Sequence, residues 1–305
     1  MSSASMEAQQ IAELGRVLFI GSALLFALAM LLLALAVRRP DRKTAVPPAI
    51  WIFGLGMALP ALVLAALMMF AAQRSRVLAA PPPADALLVG VMGRLWWWDL
   101  RYESPAGAVR GANELRLPAG RAVRLTLASE DVIHSFWVPQ LGGKMDLVPG
   151  RINHLTITAS TPGVYAGACA EFCGQQHARM ALKVVVMPAA EFDRWLAAQA
   201  MPAALPVGDA ERRGRQAFRE QGCAACHSVR ETLSGTPQGP ALGPDLTHLA
   251  SRLHLGAGLL ANERSALRRW IGDVQVLKPG ARMPSYAHLD ASTLDALSAY
   301  LAELR

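Results

Sequence analysis

Cys169-Ala170-Glu171-Phe172-Cys173, continued through His177 to Met180, decides how this sequence is read. Two thiols, an imidazole and a thioether fall within 12 residues. A further histidine, His134, lies upstream in Ser129-Glu130-Asp131-Val132-Ile133-His134-Ser135-Phe136. Soft sulfur with imidazole selects copper, zinc or iron over hard cations. Two cysteines four apart on a tight loop can point at one centre, and so can bridge two metal ions instead of capping one. A disulfide between Cys169 and Cys173 would leave His177 and Met180 unexplained. Structural zinc favours paired C-x2-C knuckles, and methionine is a poor zinc ligand.

The pattern C-x-E-x-C-x3-H-x2-M, with a histidine upstream in a strand, resembles the dinuclear copper (CuA) loop of cytochrome c oxidase subunit II. Gly93-Arg94-Leu95-Trp96-Trp97-Trp98 resembles that family's aromatic strand. Val138-Pro139-Gln140-Leu141-Gly142 and Asp146-Leu147-Val148-Pro149-Gly150-Arg151 resemble its connecting segments, so the likeness runs over residues 10 to 195. It implies that Cys169 and Cys173 bridge two coppers and that His134 and His177 each bind one. Met180 and the backbone carbonyl of Glu171 would be weak axial ligands. The Glu171 carboxylate would help hold a magnesium or manganese ion at the border with subunit I, a role suited to a hard oxygen donor. Trp96 aligns with the aromatic residue through which electrons enter. Three adjacent tryptophans on a strand would put Trp96 and Trp98 on one side and Trp97 on the other. Phe172 is expected to keep water from the metals.

Working outward, the 305 residues suit two or three domains. Their apolar content of 53% has a local source. Val17 to Val37 and Ile50 to Ala72 are 21 and 23 residues without a charge, each long enough to cross a bilayer. Ala34-Leu35-Ala36 fits a signal-peptide cleavage pattern, but Glu7, Glu13 and a single Arg16 make a poor basic leader, and the apolar run is too long. The segment therefore reads as a spanning helix. The loop Arg38-Arg39-Pro40-Asp41-Arg42-Lys43 carries four positive charges, which puts the hairpin turn in the cytoplasm and both termini on the periplasmic face of a bacterial inner membrane. Net charge is +7, of which +4 lies in residues 1–79 beside the membrane, where basic residues meet anionic lipid. No basic run forms a nucleic-acid groove.

The Pro-rich joint Ala79-Ala80-Pro81-Pro82-Pro83 and the linker Met201-Pro202-Ala203-Ala204-Leu205-Pro206 divide the chain. The expected domains are a membrane hairpin at 1–79, a β-domain at 80–200 and a helical domain at 201–305. Short β-type runs at Leu87–Val91, Ala122–Leu127, Ile152–Ile157 and Leu182–Val186 predict an antiparallel sandwich or barrel. The resemblance makes it an all-β cupredoxin-like Greek-key domain. Glu191 to Ala200 reads as a closing helix. Helical spacing recurs near 210–221, 263–273 and 291–304, with Asp290 as a helix start.

Cys223-Ala224-Ala225-Cys226-His227 is C-x-x-C-H, the attachment signature of c-type haem. It is followed by Gly239-Pro240-Ala241-Leu242-Gly243-Pro244-Asp245-Leu246 and by Lys278-Pro279-Gly280-Ala281-Arg282-Met283-Pro284. That order resembles an all-α class I cytochrome c, with Cys223 and Cys226 as thioether anchors, His227 as proximal ligand and Met283 as distal ligand. A thioredoxin-type disulfide is disfavoured because no βαβ pattern surrounds it. All four cysteines are then used by cofactors. His154, His248, His254 and His288 read as surface or satisfied core residues.

The whole resembles an electron-transferring subunit II of a haem–copper cytochrome c oxidase with a fused cytochrome c domain. The resemblance implies subunits I and III, membrane lipid and an external cytochrome c or other donor as partners. It implies oxygen reduction to water in subunit I, coupled to proton translocation. The alternatives are the equivalent subunit of a CuA-containing nitric oxide reductase and a free-standing membrane electron carrier. A quinol oxidase subunit would lack the copper ligands. Two departures stand out. No carboxylate precedes Trp51, where many subunit II chains carry a proton-uptake glutamate, and Asp99-Leu100-Arg101 replaces a more acidic and aromatic run. A tethered haem domain would make an acidic landing patch for a separate cytochrome less necessary.

Overall fold

The structure is a computed structural model that describes residues 3–38, 47–104, 107–232 and 242–305. The basic loop from Arg39 to Lys43 and the stretch Gly239-Pro240-Ala241 lie outside the described residues. The chain forms two compact units, one of Glu7–Pro81 and one that joins Met1–Met6 to Pro82–Arg305.

The first unit holds two long helices. Helix α1 runs Met6–Arg38; a π-helical stretch, Ile50–Ala58, continues into α2, Leu59–Leu78. Both are long and apolar enough to cross a membrane. The acids of α1 lie in its opening turns, ahead of the apolar run. Glu13 pairs there with Arg74 at 3.0 Å, and Gln10 accepts a bond from the same guanidinium at 2.6 Å.

In the other unit, ten strands build two five-stranded sheets. They are β1 Leu87–Arg94, β2 Trp97–Tyr102, β3 Val109–Ala112, β4 Glu114–Pro118, β5 Val123–Ser129, β6 His134–Trp137, β7 Met145–Leu147, β8 Asn153–Ile157, β9 Gly163–Cys169 and β10 Ala181–Met187. The sheet orders are β3-β2-β1-β5-β8 and β4-β10-β9-β6-β7. The expectation of a purely antiparallel sandwich needs correction. β1 pairs parallel with β5, and β4 parallel with β10. Strands far apart in sequence are laid side by side by crossovers, which local alternation does not encode. The alternation itself is real: Val123, Leu125 and Leu127 face inward along β5, as do Leu182, Val184 and Val186 along β10. Helix α3, Ala189–Ala200, seals the sandwich with Phe192 and Trp195 against Tyr102. The chain just before α1 is also built in. Ala4 N–H donates to the Gln140 carbonyl at 2.8 Å, Ser5 Oγ donates to the Leu141 carbonyl, and Ser5 bridges Ala159.

The three tryptophans do not share a strand as expected. β1 ends at Arg94 and β2 starts at Trp97, so Leu95 and Trp96 form the turn between them. Trp98 lies in the core against Phe136, Trp97 sits half-buried under the Arg94 guanidinium, and Trp96 is free to leave the sheet.

Helices α4 Asp209–Glu220, α5 Arg264–Leu277 and α6 Ala291–Ala302 carry the last third of the chain. A Cβ on Gly214 of α4 would stand 2.0 Å from the Ala296 carbonyl oxygen of α6, so only glycine permits this crossing. Asp290 caps α6 by accepting from Thr293 N–H at 2.9 Å. A short ladder of β11 His254–Leu255 and β12 Leu260–Ala261 interrupts the otherwise helical domain.

Candidate functional site

Adjacent strands bring the sulfur and imidazole groups together. His134 opens β6, Cys169 ends β9, and Met180 leads into β10, which lies beside β9. The intervening loop is pinned by Cys169 N–H to the Met180 carbonyl at 3.1 Å and Ala170 N–H to the Ser135 carbonyl at 2.9 Å. Cys169 Sγ and Cys173 Sγ stand 3.8 Å apart. His134 Nδ1 is 3.9 Å from Cys169 Sγ, and His177 Nδ1 is 3.5 Å from Cys173 Sγ. Met180 Sδ lies 3.9 Å from Cys173 Sγ, and the Glu171 carbonyl oxygen lies 3.1 Å from Cys169 Sγ. All six sequence-predicted residues therefore meet, with the Glu171 side chain pointing to the surface.

The electrostatics suit a cation. The hydrogen bond between the two sulfurs holds the Cys169 thiol down and pushes Cys173 up, with burial adding to the rise. A hydrogen bond between the sulfurs places one proton in the space between them. Metal ions can take that proton's place, because thiolate is the ligand form. Asp131, which the sequence reading did not single out, orients the site. Its Oδ1 lies 2.8 Å from His134 Nε2, which fixes the proton there and leaves the Nδ1 lone pair facing Cys169. The same carboxylate accepts Leu95 N–H at 2.8 Å, at the start of the Trp96 turn. The spacing Asp131 to His134 was the available signal. Phe172 does not exclude water within this chain. It is 76% exposed at the tip of the loop, because the residue between Glu171 and buried Cys173 must face outward.

Gly93 makes room for the His134 ring. A Cβ there would lie 2.7 Å from His134 Cδ2. Gly93→Ala is therefore expected to displace a completely buried ring and weaken copper binding by about tenfold to a hundredfold, the usual scale for supporting residues. Titration of the apo protein with copper, followed by absorbance, reads this directly. Unchanged affinity with unchanged spectra would show that the ring has freedom to give.

The second cluster surrounds a cavity of about 300 Å³ in the helical domain. Cys223, Cys226, His227 and Met283 all line it. His227 Nδ1 is 2.8 Å from the Pro244 carbonyl, an acceptor, so Nδ1 carries the proton and Nε2 keeps its lone pair. Burial pushes the imidazole pKa down, which keeps it neutral. A Cβ on Gly243 would lie 2.7 Å from His227 Cε1, so the ring stands in a slot only glycine leaves open. Met283 is held by its carbonyl, which accepts Gln275 Nε2 at 2.7 Å. Phe218, Leu246, Leu267, Ile271, Leu297 and Leu301 supply apolar walls. Two thiols at a rim, one imidazole lone pair, a thioether and apolar walls fit a covalently attached haem.

The copper-type cluster and this cavity share a boundary. Leu95, Trp96, Trp97, Ala112 and Asn113 of the β-domain line the same cavity. Trp96 is 9% exposed, and its indole Nε1 donates to the Cys173 carbonyl at 2.8 Å. Its ring lies against Gly174 and Gly280, where Cβ atoms would come within 3.4 Å and 3.5 Å of it. Asp99 is buried between Arg110 at 3.0 Å and Arg94 at 3.6 Å, so it offers no exposed charge to a docking partner. Among the remaining histidines, His154 and His288 are exposed, and His248 Nε2 bonds the Met201 carbonyl at 2.9 Å. His254 lines the cavity, a position the sequence reading did not assign.

In comparison with known proteins, each cluster lies within a matched domain. Residues 105–187 match the family described as cytochrome c oxidase subunit II, periplasmic domain, and residues 211–305 match cytochrome c. Together the two matches take in more than half of the chain. Cytochrome c oxidase subunit 2 of Alkalihalophilus pseudofirmus is 38% identical over 221 residues, covering 72% of this chain and 62% of that protein. Its counterpart in Bacillus sp. strain PS3 is 32% identical over 228 residues, covering 72% of this chain and 63% of that protein. The aligned part thus spans somewhat less than two thirds of these relatives. A crystal structure of the periplasmic domain of cytochrome oxidase subunit II from Bradyrhizobium japonicum is 30% identical, covers 39% of this chain and 95% of that one, and superposes with a TM-score of 0.37. Residues 105–187 thus belong to the cytochrome c oxidase subunit II periplasmic-domain family, and residues 211–305, which follow them, to the cytochrome c family.

Proposed function

We propose that this chain is the electron-transfer subunit of a haem–copper cytochrome c oxidase, passing electrons from its own haem c to a CuA centre and on to subunit I, where oxygen is reduced with proton translocation. The observation that carries this reading is the shared boundary. Trp96 bonds the Cys173 carbonyl on one side and lines the haem cavity on the other. When bound, the copper pair and the haem each accept and release one electron. The chain does the rest. Cys169, Cys173, His134 and His177 would supply the sulfur and imidazole ligands of the copper pair. Met180 Sδ and the Glu171 carbonyl, beside Cys173 and Cys169, would add weaker donors. Cys223 and Cys226 would anchor the porphyrin, and His227 and Met283 would supply the donors to its iron, a pair that raises the potential. Trp96 gives electrons a packed route between the two sites.

The exposed Glu171 carboxylate is free to help hold magnesium or manganese with subunit I. The apolar helices α1 and α2 suit contact with subunit I, subunit III and lipid. An external cytochrome c or other donor delivers the electrons. Residues 4 and 5 are built into the β-domain immediately before α1, which supports a periplasmic N-terminus beside the soluble domains. The domains proposed are a hairpin at 1–79, a copper domain at 80–200 and a haem domain at 201–305, with residues 4 and 5 packed back on the copper domain.

The test is purification of the intact complex with its large subunit. The reading requires two coppers and one covalent haem per copy of this chain, and oxygen uptake on adding reduced donor. A partner that consumes nitric oxide instead of oxygen would move the chain to the reductase alternative. A stable isolated chain with both cofactors and no large subunit would make it a free-standing carrier.

A further inference from the structure

We propose that Lys278 is a positioning residue that pegs the haem domain to the copper loop, so that electron transfer between them takes place in one fixed geometry and does not wait for domain motion. The inference rests on the function proposed above.

Lys278 is 4% exposed, yet no carboxylate is among its hydrogen-bond partners. Its Nζ donates to three backbone carbonyls, of Trp96 at 2.8 Å, Arg179 at 2.9 Å and Gly256 at 3.0 Å. Two of these belong to the β-domain and one to the haem domain. An ammonium has three N–H donors, and all three are spent. Burying such a charge is costly unless every donor finds an acceptor. Burial pushes its pKa down to about 8, which reports that cost. Separation of the domains would remove two of the three acceptors at once. The site is therefore satisfied in one arrangement only, which is what a registration peg requires.

The neighbours of Lys278 tighten the same seam. Arg179 Nη1 donates to the Leu277 carbonyl at 2.7 Å, and Gln176 Nε2 donates to the Pro279 carbonyl at 2.8 Å. Gln176 and Arg179 flank His177 in the copper loop. Leu277 to Pro279 lead into the segment that ends at Met283. Three consecutive residues of the haem domain are thus bonded to the backbone and side chains around the copper ligands. Trp96 is enclosed in this seam, with its carbonyl on Lys278 and its indole on Cys173. The acceptor Gly256 is itself fixed, since its φ is +62° and a Cβ would meet the Trp270 ring at 2.6 Å. The transfer concerned is one electron, ferrous to ferric at the haem and a one-electron reduction at the copper pair, with no bond made or broken.

The experiment uses the intact complex and flash photoreduction of haem c by a ruthenium bipyridyl complex. In Lys278→Met, the haem and copper absorption bands are expected to remain. The rate of haem oxidation by copper should fall at least tenfold and become dependent on solvent viscosity. Hydrogen exchange should rise at residues 176–179 and 277–280. The copper midpoint potential should fall as well, because a positive charge near Cys173 favours the reduced state. A rate within twofold of the parent, independent of viscosity and with unchanged exchange, would overturn the proposal. If Lys278→Met does not assemble, the double change Gln176→Ala and Arg179→Ala decides through the same readouts, since it loosens the seam without touching the lysine. Failure of the underlying functional reading would look different: the unaltered complex would itself lack the copper or haem bands.

Discussion

Cys173→Ser in the assembled complex is expected to abolish the near-infrared copper absorption and to lower oxygen uptake at least a hundredfold, with the covalent haem bands intact. Cys173 is one of the two central sulfurs of the cluster. Its sulfur lies 3.8 Å from Cys169 Sγ, 3.5 Å from His177 Nδ1 and 3.9 Å from Met180 Sδ. Cys169 is matched to it on the other side, with His134 Nδ1 at 3.9 Å and the Glu171 carbonyl at 3.1 Å from its sulfur. Serine has nearly the same shape, so the buried position should stay filled. Its oxygen is hard and holds its proton at neutral pH, so it cannot replace a bridging thiolate between soft metals. With one sulfur left, His134 and Cys169 could retain a single ion, but two metals would no longer share one electron. The haem domain has its own core and its own ligands, and should load normally. Full turnover in this variant, or loss of haem together with copper, would contradict the assignment of two independent sites joined in series.

The parts of this design that were legible in the sequence share one property, which is short range. Cys169, Cys173, His177 and Met180 lie on a single loop, and Cys223 to His227 on a single turn, so their spacing carries the family resemblance that points to the chemistry. Asp290 as a helix cap and the inward faces of β5 and β10 are equally local. What escaped depends on contacts between distant segments. Gly93 matters because His134, on another strand, needs its missing side chain. Lys278 reads as an ordinary surface lysine until Trp96, Arg179 and Gly256 are placed around it. The parallel pairing of β1 with β5 leaves no trace in either strand's alternation. Trp96 was identified for its role but assigned to a strand, because three aromatic residues in a row look like one. Phe172 was expected to keep water from the metals, but within this chain its ring faces outward.

Met283→Leu carries the second large effect. Leucine keeps the volume and apolar character of the cavity wall but offers iron no lone pair. The loop geometry should survive, because Gln275 Nε2 holds the Ala281 and Met283 carbonyls at 2.7 Å each through the backbone. His227 should also stay in place, since Pro244 and the gap at Gly243 fix it independently of Met283. The expected result is a covalent haem without the methionine–iron charge-transfer absorption and newly open to carbon monoxide. Loss of the thioether lowers the potential. A fall of about 120 mV would shift a one-electron equilibrium about a hundredfold, at roughly 59 mV per decade. The direction matters as much as the size. A lower haem potential makes transfer onward to copper more favourable and acceptance from the external donor less so. Turnover should therefore fall at the donor step, and the steady-state haem should stand more oxidised than in the parent complex. A variant that is slow with its haem more reduced would instead place the block after the haem, at Trp96 or the copper loop, and would assign Met283 to packing alone.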